Sequence, residues 1–421
     1  TPIRLSAGLL ALGIGSLLVN CSSGETDCAD SSCGVGGGGG QGGQGGDGPV
    51  VDDFACSDEA PESLPEGTEL HGCSPDEGKR CLPEGIVARK AVAYSGYREE
   101  HDPRTKTYPS EAEILEDLEL LIDSGFGFIR LFDSGVHAER TLKVIADNEL
   151  DLKVQLGIWI AGAKADFDEV NQADIDAGVA LAKQYESIVV GVSVGNETLS
   201  SWSSVLTPAA DLAAYITEVR GQITQPVTTD EMYPPYRLDA GYADVEEVLT
   251  VIDYASVHIY AFIDAQWSWN WKQAALPEEE RADAMMQAGM EYTQLAIDGV
   301  RKKFVQKGFD IPILLGEIGW KSTATKPDEA AGEIFRAHPV NQKIFYDWME
   351  SWVHGAAHDE TSPLTAFYFE AFDEPWKGQD DAWGLFDVKR EPKLVMWCTA
   401  PSGKPEGAPT YSLDDRVYYA P

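Results

Sequence analysis

The run Ile188-Val189-Val190-Gly191-Val192-Ser193-Val194, followed at once by Gly195-Asn196-Glu197, reads as a buried β-strand that ends on a carboxylate. It is short, rich in β-branched residues and without polar alternation, the pattern of a parallel strand covered on both faces. Segments of the same texture recur at Val87 to Tyr94, Gly127 to Phe132, Leu152 to Ile158, Pro226 to Thr229, Tyr254 to Tyr260, Ile311 to Leu315 and Leu364 to Phe369. Stretches of helical period separate them, as at Ser110 to Asp123, where Ser110 and Glu113 have capping-box spacing. Eight strand candidates with seven helical intervals predict an α/β fold, a single (β/α)₈ TIM-type barrel over residues 86–400 that closes near Cys398. The rival, an open doubly wound sheet, would place a Gly-rich phosphate turn after the first strand, yet Tyr94-Ser95-Gly96-Tyr97-Arg98 offers a single glycine.

Bulk properties bound the partners. The 421 residues are 43% hydrophobic and 24% charged, ample for a globular core, and carry a formal net charge of −38. Such a charge repels phosphate backbones and anionic headgroups, so nucleic acid is excluded as a natural partner and a neutral substrate is favoured.

The N-terminal part has another texture. Arg4 precedes the apolar run Leu9 to Val19, too short to span a bilayer, which predicts an export signal over residues 1–20. Leu18-Val19-Asn20-Cys21-Ser22-Ser23 resembles a bacterial lipoprotein signal, with Cys21 lipidated as the mature N-terminus and membrane contact through that lipid alone; Asn20 departs from the small residue usual there. Residues 21–50 include the Gly-rich run Gly34 to Gly48, which has too little apolar surface to offset its chain entropy and predicts a disordered tether. The predicted order is then a Cys-containing segment at 51–85, the barrel, and a C-terminal tail at 401–421. Cys28, Cys33, Cys56, Cys73, Cys81 and Cys398 form an even set suited to disulfides in an oxidising compartment, and their spacing matches no zinc pattern. Which pairs with which stays open.

In a barrel the active site lies at the C-terminal strand ends. Val194-Gly195-Asn196-Glu197 follows the fourth strand, and Gly316-Glu317-Ile318-Gly319-Trp320 follows the seventh. Each places a carboxylate beyond a buried strand. Cleavage of a glycosidic bond needs two facing carboxyl groups, one protonated to assist the leaving oxygen and one ionised to attack the anomeric carbon. Glu197 is the candidate acid/base and Glu317 the candidate nucleophile, their environments splitting their pKa values. Asn196 is placed to bond a sugar 2-hydroxyl. This chemistry needs no metal and no organic cofactor.

The sequence resembles glycoside hydrolase family 17 from about Ala91 to Trp397. The likeness rests on Tyr94-Ser95-Gly96-Tyr97-Arg98, Ile129-Arg130-Leu131-Phe132, Val194-Gly195-Asn196-Glu197, Gly316-Glu317-Ile318-Gly319-Trp320 and Phe369-Glu370-Ala371-Phe372-Asp373-Glu374-Pro375-Trp376-Lys377. The resemblance implies a retaining, endo-type hydrolase of β-1,3-glucan polysaccharide or oligosaccharide, with the same two glutamates in the same roles. It puts Tyr260 beside the nucleophile and Tyr94, Glu370, Glu374, Lys377, Trp320 and Trp376 among the substrate-binding residues. Further stacking aromatics are expected at Trp267, Trp269, Trp271 and Trp383, the first three on one side if extended. Glucosyl transfer by the same residues, or glucan binding without catalysis, are the rival functions.

Overall fold

The structure, a computed structural model, describes Phe54, Cys56, residues 78–237, Tyr242, and residues 244–324, 333–378 and 381–413, the side chains of Glu84, Gln266 and Trp267 excepted. The export signal, Cys21, the glycine tether, Cys28, Cys33 and Cys73 lie outside the described residues.

Eight parallel strands close on themselves in sequence order, so the open-sheet rival falls. They are β1 (Lys90–Ala93), β2 (Phe126–Leu131), β3 (Lys153–Ile158), β4 (Val189–Asn196), β5 (Val227–Met232), β6 (Ala255–His258), β7 (Ile313–Ile318) and β8 (Ala366–Tyr368). The closing contact pairs Ala91 with Phe367 and Val92 with Tyr368. Helices pack outside; the one at Glu111–Asp123 starts with the expected reciprocal box between Ser110 and Glu113.

Two strand boundaries differ from the sequence reading in ways that matter. Glu317 lies within β7 and not beyond it, because the ladder with β6 continues through the pair His258–Glu317. The fifth strand runs on past Thr229 to Met232: Asp230 faces the barrel interior, where Arg130 and Gln155 meet it, and Glu231 faces the other way onto the loop after β4, so buried polar partners take the place of apolar contacts there. At the other end, Glu84–Val87 forms a short helix, so the first strand starts later than Val87.

That helix and Leu82 plug the floor of the barrel against Phe128, Tyr254, Leu314 and Phe367. Arg80 ties the plug down through carbonyls of Arg220, Ile223 and Gln225 at 2.9–3.1 Å, and its N–H donates to Asp253. Part of the predicted 51–85 segment is thus barrel structure. The disulfide Cys56–Cys398 fastens the chain ahead of it to the far end of the barrel, near a small cluster of Val340, Leu394 and Trp397. With the floor closed, the open end is the C-terminal mouth, where both candidate glutamates stand.

Candidate active site

The mouth is organised by one buried guanidinium. Arg130, near the end of β2, donates from Nε to Asp230 (2.8 Å), from Nη1 to Glu317 Oε1 (2.7 Å) and from Nη2 to Asn196 Oδ1 (2.6 Å). One planar fork therefore sets the positions of groups on β4, β5 and β7. A buried arginine with two carboxylates satisfies the rule that interior charge must be paired, and its own pKa is raised by Asp230 and Glu317 against the opposing effect of burial. Asp230, held charged in turn by Arg130 despite its burial, also accepts from Gln155.

Glu317 is almost fully covered. Its Oε2 accepts the Tyr260 hydroxyl, while His258 Nδ1 stands 3.6 Å from the same oxygen. Burial pushes its carboxyl up, but His258, Arg130 and the Tyr260 hydrogen bond outweigh that and hold the pKa below its ordinary value. Glu317 is thus kept ionised. Gly316 makes this crowding possible, since a Cβ there would come within 2.3 Å of Ser256 Oγ and 2.9 Å of His258 Cδ2.

Glu197 follows β4 in a different setting. Its side chain is 29% exposed against 7% for Glu317. Its Oε1 lies 2.9 Å from His258 Nδ1, so one imidazole bridges both carboxyl groups, and burial of that ring is outweighed by Glu317 and Glu197, which raise its pKa. The backbone turns sharply here, with φ +89° at Gly195 and +53° at Glu197. A left-handed non-glycine residue costs about 1–3 kcal/mol and persists only where its surroundings fix it. One carboxylate oxygen of Glu197, one of Glu317 and His258 Nδ1 or Nε2 all lie within 4.8 Å of one another. Such a trio could also hold a cation, but a cation would share Glu317 with the Arg130 guanidinium, whose like charge is already 2.7 Å away.

A second polar cluster follows β8. Lys377 Nζ lies 2.6 Å from Glu370 and 2.6 Å from Glu374, and Glu374 also accepts from Ser95. Burial drives the Glu370 pKa well up, against the pull of Lys377; in Glu374 the effect of burial is overcome by Lys377 and Ser95, and its pKa falls. Tyr260 reaches the cluster through Phe369, ring centroids 5.7 Å apart, with Lys377 Nζ 4.6 Å over the same ring.

Residues 91–385 match the BtgE/BtgC glycoside hydrolase domain. The chain belongs to this family. Among curated proteins it is 24% identical over 319 residues to a probable glucan endo-1,3-beta-glucosidase btgC of Aspergillus flavus, covering 68% of this chain and 40% of the relative. It is also 24% identical over 280 residues to a glucan 1,3-beta-glucosidase of Arthroderma benhamiae, covering 64% of this chain and 80% of that one. The chain thus spans about two fifths of the length of the Aspergillus relatives. Among solved structures an endo-laminarinase from Formosa superposes with a TM-score of 0.66 at 26% identity, covering 76% of this chain and 91% of that one. A glycoside hydrolase family 17 β-1,3-glucanosyltransferase from Rhizomucor miehei shares the fold, with a TM-score of 0.51 at 20% identity and coverage of 75% and 99%.

In this BtgE/BtgC domain the structure brings together Glu197, Glu317, Asn196 and Tyr260, and sets Glu370, Glu374 and Lys377 beside them. Other expected substrate contacts are corrected. Tyr94 is fully buried with its hydroxyl on Asp117 at 3.3 Å, and Trp320 is fully buried with Nε1 on the Arg336 carbonyl at 3.0 Å. Both are framework, since their polar atoms face protein. Trp269 donates to the Ala261 carbonyl and stacks on Tyr292, while Trp271 stacks on Phe335. The chain around them is not extended, since Trp267 lies in the last turn of a helix, Ala261–Ser268, so the alternation expected of an extended run does not apply; the Trp267 side chain lies outside what is described. Trp383 is buried against Tyr260, Phe262 and Phe369. Trp376 differs, half-buried beside Tyr97 with an indole N–H that has no partner among the described residues.

Sequence reasoning missed Arg130, Asp230, Glu231 and His258 as members of the site. The signal was present, because each is a charged or titratable residue at or beside the end of a buried strand, where burial demands a partner.

Proposed function

We propose that this protein is a retaining endo-β-1,3-glucan hydrolase, with Glu197 as acid/base and Glu317 as nucleophile. The observation that carries the reading is the carboxylate pair, oxygens within 4.8 Å of each other, one held ionised and the other partly exposed. Retaining glycosidases hold their two carboxyls about 5–5.5 Å apart, whereas inverting ones need roughly 6.5–9.5 Å to admit a water.

Glu317 attacks the anomeric carbon. Arg130 and Tyr260 keep its charge in place until it is spent in the glycosyl ester. With its proton on Nδ1, His258 donates to Glu197 Oε1, which leaves Oε2 to carry the proton that goes to the leaving glucosyl oxygen. Glu197 then takes a proton from the water that hydrolyses the ester. Asn196, its Oδ1 fixed by Arg130, keeps its Nδ2 for the sugar 2-hydroxyl. Lys377, the least buried member of the second cluster, supplies a donor to neighbouring hydroxyls. The β-1,3 linkage and internal attack are supported by the curated relatives' names and by the endo-laminarinase superposition.

Export and a lipid anchor at Cys21 belong to the same proposal and rest on the N-terminal pattern. Proton NMR of laminari-oligosaccharide digestion tests the mechanism: the β-anomer must appear first. Early α-anomer overturns the nucleophile role of Glu317, and products longer than the input mark transfer in place of hydrolysis.

A further inference from the structure

Beside the acid/base sits a carboxylate that the chemistry above does not use. Glu231, the next-to-last residue of β5, is completely buried. Its Oε1 accepts the Thr198 backbone N–H at 2.9 Å and the Thr198 hydroxyl at 2.6 Å, and its Oε2 accepts the Leu199 N–H at 3.0 Å. The preceding residue of β5 completes the pattern, since the Asp230 carbonyl accepts the Glu197 N–H at 2.8 Å. Three consecutive N–H groups, those of residues 197, 198 and 199, are therefore all held by two adjacent residues of one strand.

These contacts fall where the chain is under strain. Glu197 has φ +53°, and among the described residues no side chain other than Glu231 accepts the backbone N–H groups of the two residues that follow it. Burial, the hydrogen bonds from Thr198 and Leu199 and the charge of Glu197 act most on Glu231, and none of these is a cation. Ion pairing thus does not explain a buried carboxylate there; its observed partners are hydrogen-bond donors of the acid/base loop and its own strand. Both oxygens must accept. An amide in its place would turn an NH₂ donor toward a backbone N–H whichever way it faced.

We infer that Glu231 is a positioning residue for the acid/base: it clamps Thr198 and Leu199 so that the Glu197 side chain is aimed at the leaving oxygen. The inference rests on the acid/base reading of Glu197. It predicts a defect confined to steps that need the proton. Departure of a poor leaving group, a glucosyl hydroxyl, depends on a well-aimed acid, whereas a 2,4-dinitrophenolate leaves without one.

The test compares two substrates in the full chain. Glu231→Gln should lower kcat on laminari-oligosaccharides about 10- to 100-fold, the scale of a small misplacement of a catalytic group, with KM changed less than about threefold. Single-turnover release of 2,4-dinitrophenolate from 2,4-dinitrophenyl β-laminaribioside should change less than about threefold. Thr198→Val, which removes only the hydroxyl donor, should show the same selectivity at about 3- to 10-fold and decides the matter if Glu231→Gln does not fold. Equal losses on both substrates, or no loss on either, overturn the inference. Glu197→Ala is run in parallel: selectivity there without selectivity at Glu231 or Thr198 sinks the positioning role alone, and its absence at Glu197 sinks the acid/base reading itself.

Discussion

Two pairs of glutamates stand at the mouth of the barrel, and their surroundings differ. Glu197 and Glu317 share His258, with Arg130 and Tyr260 on Glu317 alone. Glu370 and Glu374 share a single lysine. In the second pair one pKa is driven up and the other down, much as an acid and a nucleophile require. The side chains of that pair are nonetheless sealed, 3% and 1% exposed, against 29% for Glu197. Opposed pKa shifts alone therefore do not mark a catalytic pair; reach from solvent distinguishes the first pair.

The largest expected effect is on activity. Glu317→Gln should lower kcat about 10⁴-fold or more while circular dichroism and the melting curve stay native-like, whereas the same change at Glu370 should leave measurable turnover. Comparable losses at both would break the distinction. Arg130→Met should be the most damaging to the fold, because it strands Asp230 and Glu317 as unpaired buried charges; a loss of about 3–5 kcal/mol is expected in urea titration. Lys377→Met should cost less, about 2–3 kcal/mol, since Glu370 can retain a proton, and the deficit should shrink between pH 8 and pH 5. A deficit that grows on acidification would contradict the protonation split.

The smallest effect is the pH dependence of stability. Burial pushes Glu231 up to about 7 and Asp174, Asp264 and Asp373 up to about 6. A carboxyl with a raised folded-state pKa binds more protons when native, so its favourable contribution is full below the unfolded value and is lost as pH rises through 6 to 7. His258, also raised, adds a loss in the same direction above 6.5. His137, which burial lowers to about 4, opposes them between pH 4 and 6.5. Stability from Glu317 and Asp230, whose pKa values are depressed, is lost only toward pH 4 and below. The melting temperature should thus be higher at pH 5 than at pH 8, by about 2 °C or more. A higher value at pH 8 would mean that these carboxyls ionise freely in the folded state.

Much of the site was legible because strand ends announce themselves. Val194-Gly195-Asn196-Glu197 and Gly316-Glu317 end apolar runs, and the structure puts both glutamates where those runs point. Aromatic residues misled. Tyr94, Trp320, Trp269 and Trp271 have the composition of a sugar platform, but a ring that stacks on glucose and a ring that fills a core look alike until its polar atom is traced to a partner. Arg130 and His258 were hidden differently, as polar residues near the ends of strands whose apolar neighbours set the pattern, and Asp230 by standing in a polar run, Thr228 to Glu231, that masks the strand.

The sequence by itself determined the strand count, the parallel order and the placement of two glutamates near strand ends, because hydrophobic period and strand-end position are local properties that survive without coordinates. Only the tertiary structure decided which groups face one another. Arg130 joins residues 66, 100 and 187 positions away along the chain. The charge state of Glu317 depends on such neighbours and on burial, and neither exists until the barrel closes.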